Sequence, residues 1–398
     1  MKTYIEASRT PIYDRIARAL GRALVLLGHE VLLVQPDGFN ARSFGDFCET
    51  QDAHSVYIAS NEGAIINSRV PERETYFFER FAGKVIFLRQ DAILGGDSML
   101  DAIAKLRAWK RIAARSTHLC IERNNIDDLH SLGMTARLVP HATEVTATEP
   151  VTDGFEFNAS FIGHVIPFGY QTGPTTPTAL RVCEQALQAR REHMDAPLEA
   201  TLRGHAAVLD GLGLADDNAL LRIATTHWFR SQLTTHTLPF RGWLLENADI
   251  PSLDIVGGDP AYIHKVDRRL TLQKPGITTH AAVYDTERLK QIFNRSRVSL
   301  NITSLQFDDA VVNRFHDATM AGGLCLMDRR PGLPDLTSEH AQISYNDAAE
   351  LAERVRYFTD PARASERASL VRKIQAEVVQ NSGYDKLAQA VQESVAAL

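Results

Sequence analysis

Residues 298–328 read VSLNITSLQFDDAVVNRFHDATMAGGLCLMD, and the order of apolar and polar residues in them indicates the class of fold. It begins with an apolar strand that ends at Asn301, continues through an irregular loop, and then forms a short helix that carries Asn313, Arg314 and Asp317. A pair of glycines stops the helix before the next apolar strand. A strand, a helix and a second strand in this order predict parallel strands that are covered by helices.

The same alternation of strands and helices occurs on both sides of this stretch. The chain opens with a strand, an amphipathic helix and a second strand, and the rhythm continues to Val139. Residues 142–156 contain almost no large apolar side chains, as expected of a solvated linker, and the rhythm then restarts. We therefore predict an α/β fold with doubly wound, Rossmann-like domains at 1–150 and 151–380, and a C-terminal helix at 381–398 that packs back on the first domain.

The composition limits the class of protein. Of 398 residues, 44% are hydrophobic and 23% are charged, and 43 Lys and Arg against 49 Asp and Glu give a net charge of −6. This balance argues against a generally basic protein that binds nucleic acid. No apolar run approaches the ~20 residues of a transmembrane helix, the first residues lack the apolar core of a secretory signal, and the four cysteines are widely spaced. We expect a cytoplasmic protein with reduced thiols.

Several polar residues directly follow predicted strands. In an open parallel sheet, ligands bind at the carboxyl ends of the strands. The polar residues in such positions are Asp91, His141, Gly163, His164, Gly257 and Asn301. Each of them alone is also typical of an ordinary turn, because strands often end in Gly, Asn or Asp. Their recurrence in both halves of the chain predicts one ligand cleft between two domains.

The helix that begins near Asn313 has the composition of a phosphate site. Free N–H groups and the positive end of the helix dipole suit a diphosphate. Asp317, one turn further along, can accept both hydroxyl protons of a ribose, and Arg314 can neutralise phosphate charge. The alternative is a structural ion pair between Arg314 and Asp317, which would contribute no more than a few tenths of a kcal/mol.

The segment NRFHDATMAGG at 313–323 supports a more specific hypothesis. Preceded by LNIT and followed by LCLMD, it resembles the C-terminal nucleotide-sugar-binding segment of glycosyltransferases of the GT-B fold, and in particular the CgeB-like, spore-maturation group. The segments GHEV, LVPHAT, FIGH, DIVGG and ISYNDAAELAERVRYFTDPARASERA agree with this resemblance. The chain departs from the family pattern at Asp317, where the family usually has Glu, and at His316, which replaces an apolar or aromatic residue. It also lacks a pair of well-separated Glu residues that several relatives carry.

The resemblance implies a GT-B architecture, in which two Rossmann-like domains face a central cleft. By this resemblance, the second domain holds a nucleotide-diphosphate sugar and the first holds the acceptor, which would be a glycan, a glycolipid or a protein. It implies transfer without a bound metal and without any other cofactor, and the sequence offers no HExxH or DxD motif. Nucleic acid is not an expected partner, whereas peripheral contact with a membrane stays open.

The resemblance also assigns roles to individual residues. The residues predicted to bind the nucleotide sugar are Gly163, His164, Gly257, Lys265, Asn301, Asn313, Arg314 and Asp317. The predicted catalytic residues are Asp91, as the base for an inverting transfer, and Arg314. The residues predicted to bind the acceptor are Tyr13, Asp14 and His141, of which Asp14 and His141 are also weaker candidates for the base.

Two other interpretations stay open. The chain could be a non-catalytic module that binds a nucleotide or sugar on a GT-B scaffold, and the Asp at position 317 is the kind of change such drift would produce. It could also be a sugar-nucleotide epimerase or a phosphorylase. An epimerase needs acid and base groups on both faces of the sugar, and a phosphorylase of the glycogen type needs a lysine for its cofactor, but neither is evident in the sequence. The sequence does not identify the nucleotide base, the sugar, the acceptor, the stereochemistry or the oligomeric state.

Overall fold

The computed structural model describes residues 1–8, 10–61, 63–69, 75–143, 146–165, 176–207, 218–258 and 274–398. The strands are β1 Lys2–Glu6, β2 Glu30–Val34, β3 Val56–Ser60, β4 Lys84–Arg89, β5 Ser116–Cys120, β6 Ala136–Leu138, β7 Phe157–Ile162, β8 Leu253–Gly258, β9 Ile277–Ala281, β10 Ser296–Asn301, β11 Cys325–Asp328 and β12 Ser344–Tyr345. The helices of the first half are α1 Pro11–Leu26, α2 Ala41–Glu49, α3 Ala64–Asn67, α4 Phe77–Arg80, α5 Met99–Arg111 and α6 Arg123–Ser131. Those of the second half are α7 Pro177–Glu192, α8 Leu198–Ala206, α9 Asn218–Thr234, α10 Thr237–Asn247, α11 Thr286–Asn294, α12 Asn313–Met320, α13 His340–Ile343, α14 Ala348–Thr359, α15 Ala364–Ser382 and α16 Tyr384–Ala397.

The strands form two parallel, six-stranded sheets. The first has the order β2-β1-β3-β4-β5-β6, and the second has the order β12-β11-β10-β7-β8-β9. Every named strand pair in both sheets is parallel. The prediction of an α/β fold with two doubly wound sheets is therefore confirmed. The strand order reverses between β1 and β3 in the first sheet and between β7 and β10 in the second, and such points are where open α/β sheets bind ligands.

The chain divides into two compact units that are not continuous in sequence. The first unit comprises Met1–Ala142, Ala206–Trp228 and Ser382–Leu398, and the second comprises Thr143–His205 and Phe229–Asn381. The prediction had assigned every residue from 151 to 380 to the second domain. The structure instead groups Ala206–Trp228 with the first unit, because apolar side chains at the start of α9 pack into that unit's core.

The core of the first unit has two layers, one on each face of its sheet. Along β3 and β4, alternate side chains point to opposite faces, as the pleat of a strand requires. Tyr57 and Phe87 lie in one layer with the side chains of α4 and α5. Ile58 and Ile86 lie in the other layer with α1 and the C-terminal helix α16. Helix α16 thus packs against the first unit, in contact with α1.

The cysteines are buried and unreactive in character. All four are free thiols, and burial raises the pKa of Cys48, Cys120 and Cys325 to about 12. Since the thiolate is the reactive form, these side chains act as apolar core residues. Among the described helices, none combines the length and the apolar character needed to cross a bilayer.

Candidate active site

The second sheet changes its strand order beside Gly163 and Asn301. Strand β7 ends at Ile162 and strand β10 ends at Asn301, and the two strands pair in parallel. The chain leaves both strands at the same edge of the sheet, so the residues that follow them meet there. These are two of the segments that the sequence predicted to bind a nucleotide sugar.

The two glycines after β7 and β8 allow their backbones to touch. Gly163 and Gly257 have φ values of +152° and +154°, which L side chains rarely adopt. The Gly163 amide donates to the carbonyl oxygen of Val256 at 2.9 Å, and a Cβ on Gly257 would lie 2.2 Å from the Gly163 carbonyl oxygen. His164 Nδ1 donates to the Gly257 carbonyl oxygen at 2.8 Å. The structure therefore brings together the predicted residues Gly163, His164 and Gly257.

Arg314 extends from α12 into this cluster. Its Nη1 donates to Asn301 Oδ1 at 2.9 Å, and its guanidinium lies 5.3 Å from the centre of the Phe161 ring. A Cβ on Gly163 would lie 2.8 Å from Arg314 Nη2, so the glycine leaves the space that the guanidinium borders. Burial lowers the pKa of Arg314, yet a guanidinium stays protonated in proteins. The half-buried cation is thus held at the carboxyl ends of β7 and β10.

Asn301 is itself fixed by a buried hydrogen-bond network. Its Nδ2 donates to Thr303 Oγ1 at 3.2 Å, and its carbonyl oxygen accepts from the Tyr345 hydroxyl at 2.7 Å. The Thr303 amide and hydroxyl both donate to Asp328 Oδ1, at 3.1 and 2.8 Å. Asp328 is also paired with Arg330, while burial raises its pKa to about 6. Such a network restricts the movement of the Asn301 side chain, whose Oδ1 accepts from Arg314 and thereby orients it.

A second guanidinium, from Arg241 on α10, lies in the same region. Its Nε donates to the Ile302 carbonyl oxygen at 3.1 Å, and its guanidinium is 5.9 Å from the Phe161 ring. Burial, together with the positive charge of Arg314, lowers the pKa of Arg241 to about 9. Two cations that repel each other beside one ring are typical of a site for an anionic ligand. Arg241 was not among the predicted site residues, because an Arg inside an apolar helical segment is more simply explained as part of a core helix.

The start of α12 carries the remaining donor-site predictions. The helix begins at Asn313, and its N-cap residue Val312 has no side chain that could accept from the first amides. Asp317 lies one turn further along on the same helix and is half-buried. That Asp317 accepts hydrogen bonds from ribose hydroxyls stays a prediction. Lys265, the other predicted phosphate ligand, lies outside the described residues.

In the first unit, Gln90 links the predicted residues Asp91 and His141. It precedes Asp91 in the chain, and its side chain contacts His141. Asp91 is the second residue after β4, and Asn61 Oδ1 accepts from the amides of Gln90 and Asp91 at 2.7 and 3.2 Å. The buried His141 has its Nδ1 2.5 Å from Gln90 Oε1. This loop is therefore well fixed, and the role of Asp91 as a base stays a prediction.

The two other predicted acceptor residues lie on α1 and have structural contacts. Tyr13 is buried in the layer of the core that α1 and α16 share. The Asp14 carboxylate accepts from Arg18 Nε at 2.7 Å, in an exposed pair one turn apart. Packing and pairing account for these two side chains, and no contact in the structure tests their role toward an acceptor.

Asp308, in the loop before α12, has a structural role. Its carboxylate pairs with Arg190 at 2.7 Å and with Arg230 at 3.3 Å, and it accepts from the amides of Leu198 and Glu199 at the start of α8. The positive charges of the two Arg residues and the amide donors lower the pKa of Asp308 even though burial opposes them. Among the residues that the structure describes, no three His, Cys, Asp or Glu side chains form a group that could hold a metal ion.

Comparison with known proteins gives one family match and several similar folds. Residues 241–393 match a family model described as glycosyl transferase-like, and this range includes Arg241, Arg314 and Asp317. No curated protein matches the chain. Two similar solved structures are T4 phage β-glucosyltransferase in complex with UDP-glucose (10% identity, TM-score 0.53, 99% of each chain) and Anabaena Alr3699/HepE in complex with UDP and glucose (10% identity, TM-score 0.56, 100% of each chain). Another structure of β-glucosyltransferase, with a TM-score of 0.51, describes a DNA-modifying enzyme.

These matches define the class of the protein. The predicted GT-B architecture is confirmed by the two sheets and by their likeness to both solved structures. The prediction of an enzyme of the glycosyltransferase class is confirmed by the family match over residues 241–393 together with this fold. At 10% identity the solved structures show the fold alone, and the CgeB-like type is a finer statement than these matches make.

Proposed function

We propose that the chain transfers a sugar from a UDP-sugar to a hydroxyl group of an acceptor, with the donor bound by the second unit. The observation that carries this proposal is the position of Arg314, which Asn301 and Gly163 hold at the point where the strand order reverses. UDP-glucose is the first donor to test, because both similar solved structures were determined with UDP and glucose or with UDP-glucose.

The reaction breaks the bond between the anomeric carbon and the β-phosphate oxygen and forms a bond from that carbon to the acceptor oxygen. The electron pair of the broken bond goes to the diphosphate, where negative charge builds up in the transition state. Arg314 and Arg241 are the cations placed to stabilise that charge, since charge-assisted hydrogen bonds are stronger than neutral ones. With two guanidinium groups in this position, we propose a transfer that needs no metal ion.

Other groups complete the proposed donor site. The amides at the start of α12 suit the diphosphate, and Asp317 on the same helix would accept hydrogen bonds from the ribose hydroxyls. Gly163 and Gly257 leave space for the ligand because neither has a side chain. Lys265 remains a further candidate for the phosphates.

Asp91 is the proposed base of an inverting transfer, in which it takes the proton from the acceptor hydroxyl. The acceptor is proposed to be a glycan, a glycolipid or a protein, as in the CgeB-like group that residues 313–323 resemble. The proposal includes a cytoplasmic location, where nucleotide sugars would serve as donors.

The experiment that tests this function is the turnover of UDP-glucose, followed as release of UDP with and without candidate acceptors. We expect turnover by the wild type and a loss of about tenfold or more in Asp91→Asn, since a general base contributes about 10²–10⁴-fold. The matched control is Asp127→Asn, which removes an exposed carboxylate of the first unit. Tight binding of UDP-glucose with no turnover by any variant would instead support the non-catalytic binding module.

A further inference from the structure

Strand β2 forms one edge of the first sheet, and its sequence is apolar for a strand in that position. It reads EVLLV and pairs with β1 along all five residues without a bulge. Leu32 and Leu33 are 40% and 39% exposed. In the part of the chain that the structure describes, no strand pairs with the outer side of β2. The edge therefore presents apolar side chains beside backbone groups that are available to another strand.

The apolar surface continues from β2 onto the end of α1. Among the described residues, eleven large apolar side chains are exposed, and six of them lie within the first 33 positions: Met1, Val25, Leu26, Leu27, Leu32 and Leu33. The Glu30 amide donates to the Met1 carbonyl oxygen at 3.0 Å, so the start of β1 adjoins the start of β2. Single exposed leucines are normal in soluble proteins, whereas a cluster of them marks an interaction surface.

The other described sheet edges are blunted in ways that β2 is not. Strand β6 has three residues, and its Arg137 pairs with Glu393 of α16. Strand β12 has two residues, while β9 is mostly polar and has an irregular register with β8. Short strands, charges and bulges prevent a sheet edge from pairing with other chains, as do Lys and Pro, and β2 has neither Lys nor Pro. Strand β2 is therefore suited to pair with another strand.

The outer side of β2 carries the backbone groups of Val31 and Leu33. The Glu30 amide and the Val34 carbonyl oxygen both bond on the β1 side. Because backbone groups alternate in direction along a strand, those of Val31 and Leu33 point outward. Hydrocarbon offers no hydrogen-bond partner to such groups, so they favour a protein strand over a membrane.

We propose that β2 pairs with β2 of a second copy of the chain, antiparallel and about a two-fold axis at Leu32. In this register Val31 and Leu33 form hydrogen-bonded pairs with the partner's Leu33 and the partner's Val31. The two Leu32 side chains form the closer, non-hydrogen-bonded pair on the axis. The inference is independent of the proposed glycosyl transfer.

The side chains agree with this register. Val31 packs in the core layer of α1, and Val34 packs in the layer on the opposite face. Since side chains alternate, Leu33 lies on the α1 face and Leu32 on the other, and apolar contacts form on both. Glu30 lies opposite the partner's Val34, which keeps the two carboxylates apart.

The size of the contact sets the expected strength of the dimer. Five residues from each copy, with the apolar surface beside them, bury less than the roughly 1,600 Å² of a standard interface. We therefore expect a dimer that dissociates at micromolar concentrations.

The first test is sedimentation velocity of the full chain, from sub-micromolar to high micromolar concentrations. We expect a monomer–dimer equilibrium in the wild type. Leu32→Lys should weaken it about a hundredfold or more, because the two-fold axis places both ammonium groups side by side in an apolar contact. The control is Leu138→Lys on the edge strand β6, since Leu138 is 37% exposed and should not change the equilibrium. Circular dichroism shows whether each variant is folded.

A second test is cysteine cross-linking, which does not require the lysine variant to fold. In Leu32→Cys the two thiols face each other in the non-hydrogen-bonded pair, where Cβ atoms lie about 4.5–5.5 Å apart, so mild oxidation should link the copies. The four native cysteines are buried and should stay reduced. Leu138→Cys is the matched control and should remain unlinked.

Three results would overturn the inference. The first is a wild type that stays monomeric at every concentration, or a dimer that Leu32→Lys leaves intact. The second is cross-linking of Leu32→Cys that is no faster than that of Leu138→Cys. The third is binding of the wild type to vesicles of phosphatidylcholine and phosphatidylglycerol that Leu32→Lys abolishes, because the edge would then contact lipid. Release of UDP from UDP-glucose is measured separately, and its absence would count against the proposed function alone.

Discussion

At the scale of single residues, Gly163 is a position where an added side chain would disturb the proposed donor site. A Cβ there would approach Arg314 Nη2 to 2.8 Å, and the φ of +152° is unfavourable for any other residue. We expect Gly163→Ala to lower the affinity for UDP about tenfold or more and to cost about 1–3 kcal/mol of unfolding free energy. Calorimetry and thermal unfolding measure the two effects.

The matched control for this substitution is Gly204→Ala. Gly204 lies in α8 with open space around its Cβ position, so alanine there should keep UDP affinity and add about 0.5–1 kcal/mol of stability. Full UDP affinity in Gly163→Ala would show that the nucleotide lies elsewhere.

Asp308 provides the opposite case, a conspicuous carboxylate whose role is structural. Asp308→Ala should lower the unfolding free energy by about 3–5 kcal/mol, because Arg190 and Arg230 lose a buried partner. The remaining folded protein should bind UDP with unchanged affinity. Denaturant unfolding and calorimetry test this pair of expectations, and a loss of UDP affinity without a loss of stability would mean that Asp308 contacts the ligand.

The buried carboxylate of Asp328 should make the stability of the folded protein depend on pH. Burial raises its folded pKa to about 6, whereas an Asp in an unfolded chain titrates near ~3.9. The folded state therefore binds this proton more tightly, and the stability from this group is lost as the pH rises from about 4 to about 6. Relative to Asp328→Asn, the wild type should lose unfolding free energy across this range, although by less than an unpaired buried carboxylate would, because the pairing with Arg330 favours the charged form.

Urea unfolding at several pH values measures this difference, and Asp127→Asn serves as the control for an exposed carboxylate. A constant difference between the wild type and Asp328→Asn would show that burial does not raise this pKa. A wild type that instead gains stability relative to Asp328→Asn as the pH rises would show that the charge of Arg330 lowers the pKa of Asp328.

The sequence predicted part of the site because that part is local in the chain. Arg314 and Asn301 stand thirteen residues apart within one strand–loop–helix segment, and the pattern of that segment is readable. Arg241 comes from a helix some seventy residues away, and its packing next to Arg314 depends on tertiary structure. The role of Asp308 was unpredictable for the same reason, since its partners Arg190 and Arg230 are more than seventy residues distant.

At the scale of secondary-structure elements, helix α16 holds the end of the chain to the first unit. Leu387 on α16 is buried in the core layer that includes α1. Leu387→Ala should cost about 2–5 kcal/mol of unfolding free energy, through lost burial and the cavity that remains. Leu26→Ala is the control, because Leu26 on α1 is 87% exposed and should contribute little. Equal effects of the two substitutions would contradict the packing of α16.

The periodicity of apolar residues predicted most elements with their bounds close to those observed. The apolar run at 157–162 forms β7, and the Thr-Pro pair at 176–177, which is typical of a helix start, begins α7, where the Thr176 hydroxyl accepts from the Ala179 amide. Strand β9 was missed because its residues, ITTHA, are mostly polar and exposed at the edge of the sheet. An edge strand with little buried surface carries almost no periodic signal.

At the scale of the whole molecule, the sequence predicted the class of fold but not its connectivity. Alternation of strands and helices indicates parallel sheets, whereas the order of the strands is set by which of them pair in space. The linker at 142–156 suggested a single boundary, yet Ala206–Trp228 and Ser382–Leu398 return to the first unit. Packing of such later segments on an earlier domain depends on long-range contacts, which the composition of the chain does not predict.

We propose above all that the second unit binds UDP through Arg314, at the point where the strand order of its sheet reverses. The most direct test is a calorimetric titration of UDP into the wild type, Arg314→Ala and the control Arg288→Ala, which removes an exposed guanidinium of the same unit. We predict binding to the wild type and the control, and a loss of about 10- to 100-fold in Arg314→Ala, because a hydrogen bond to a charged group contributes about 1.5–3 kcal/mol. Equal affinity of all three proteins, or no binding to the wild type, would contradict the claim.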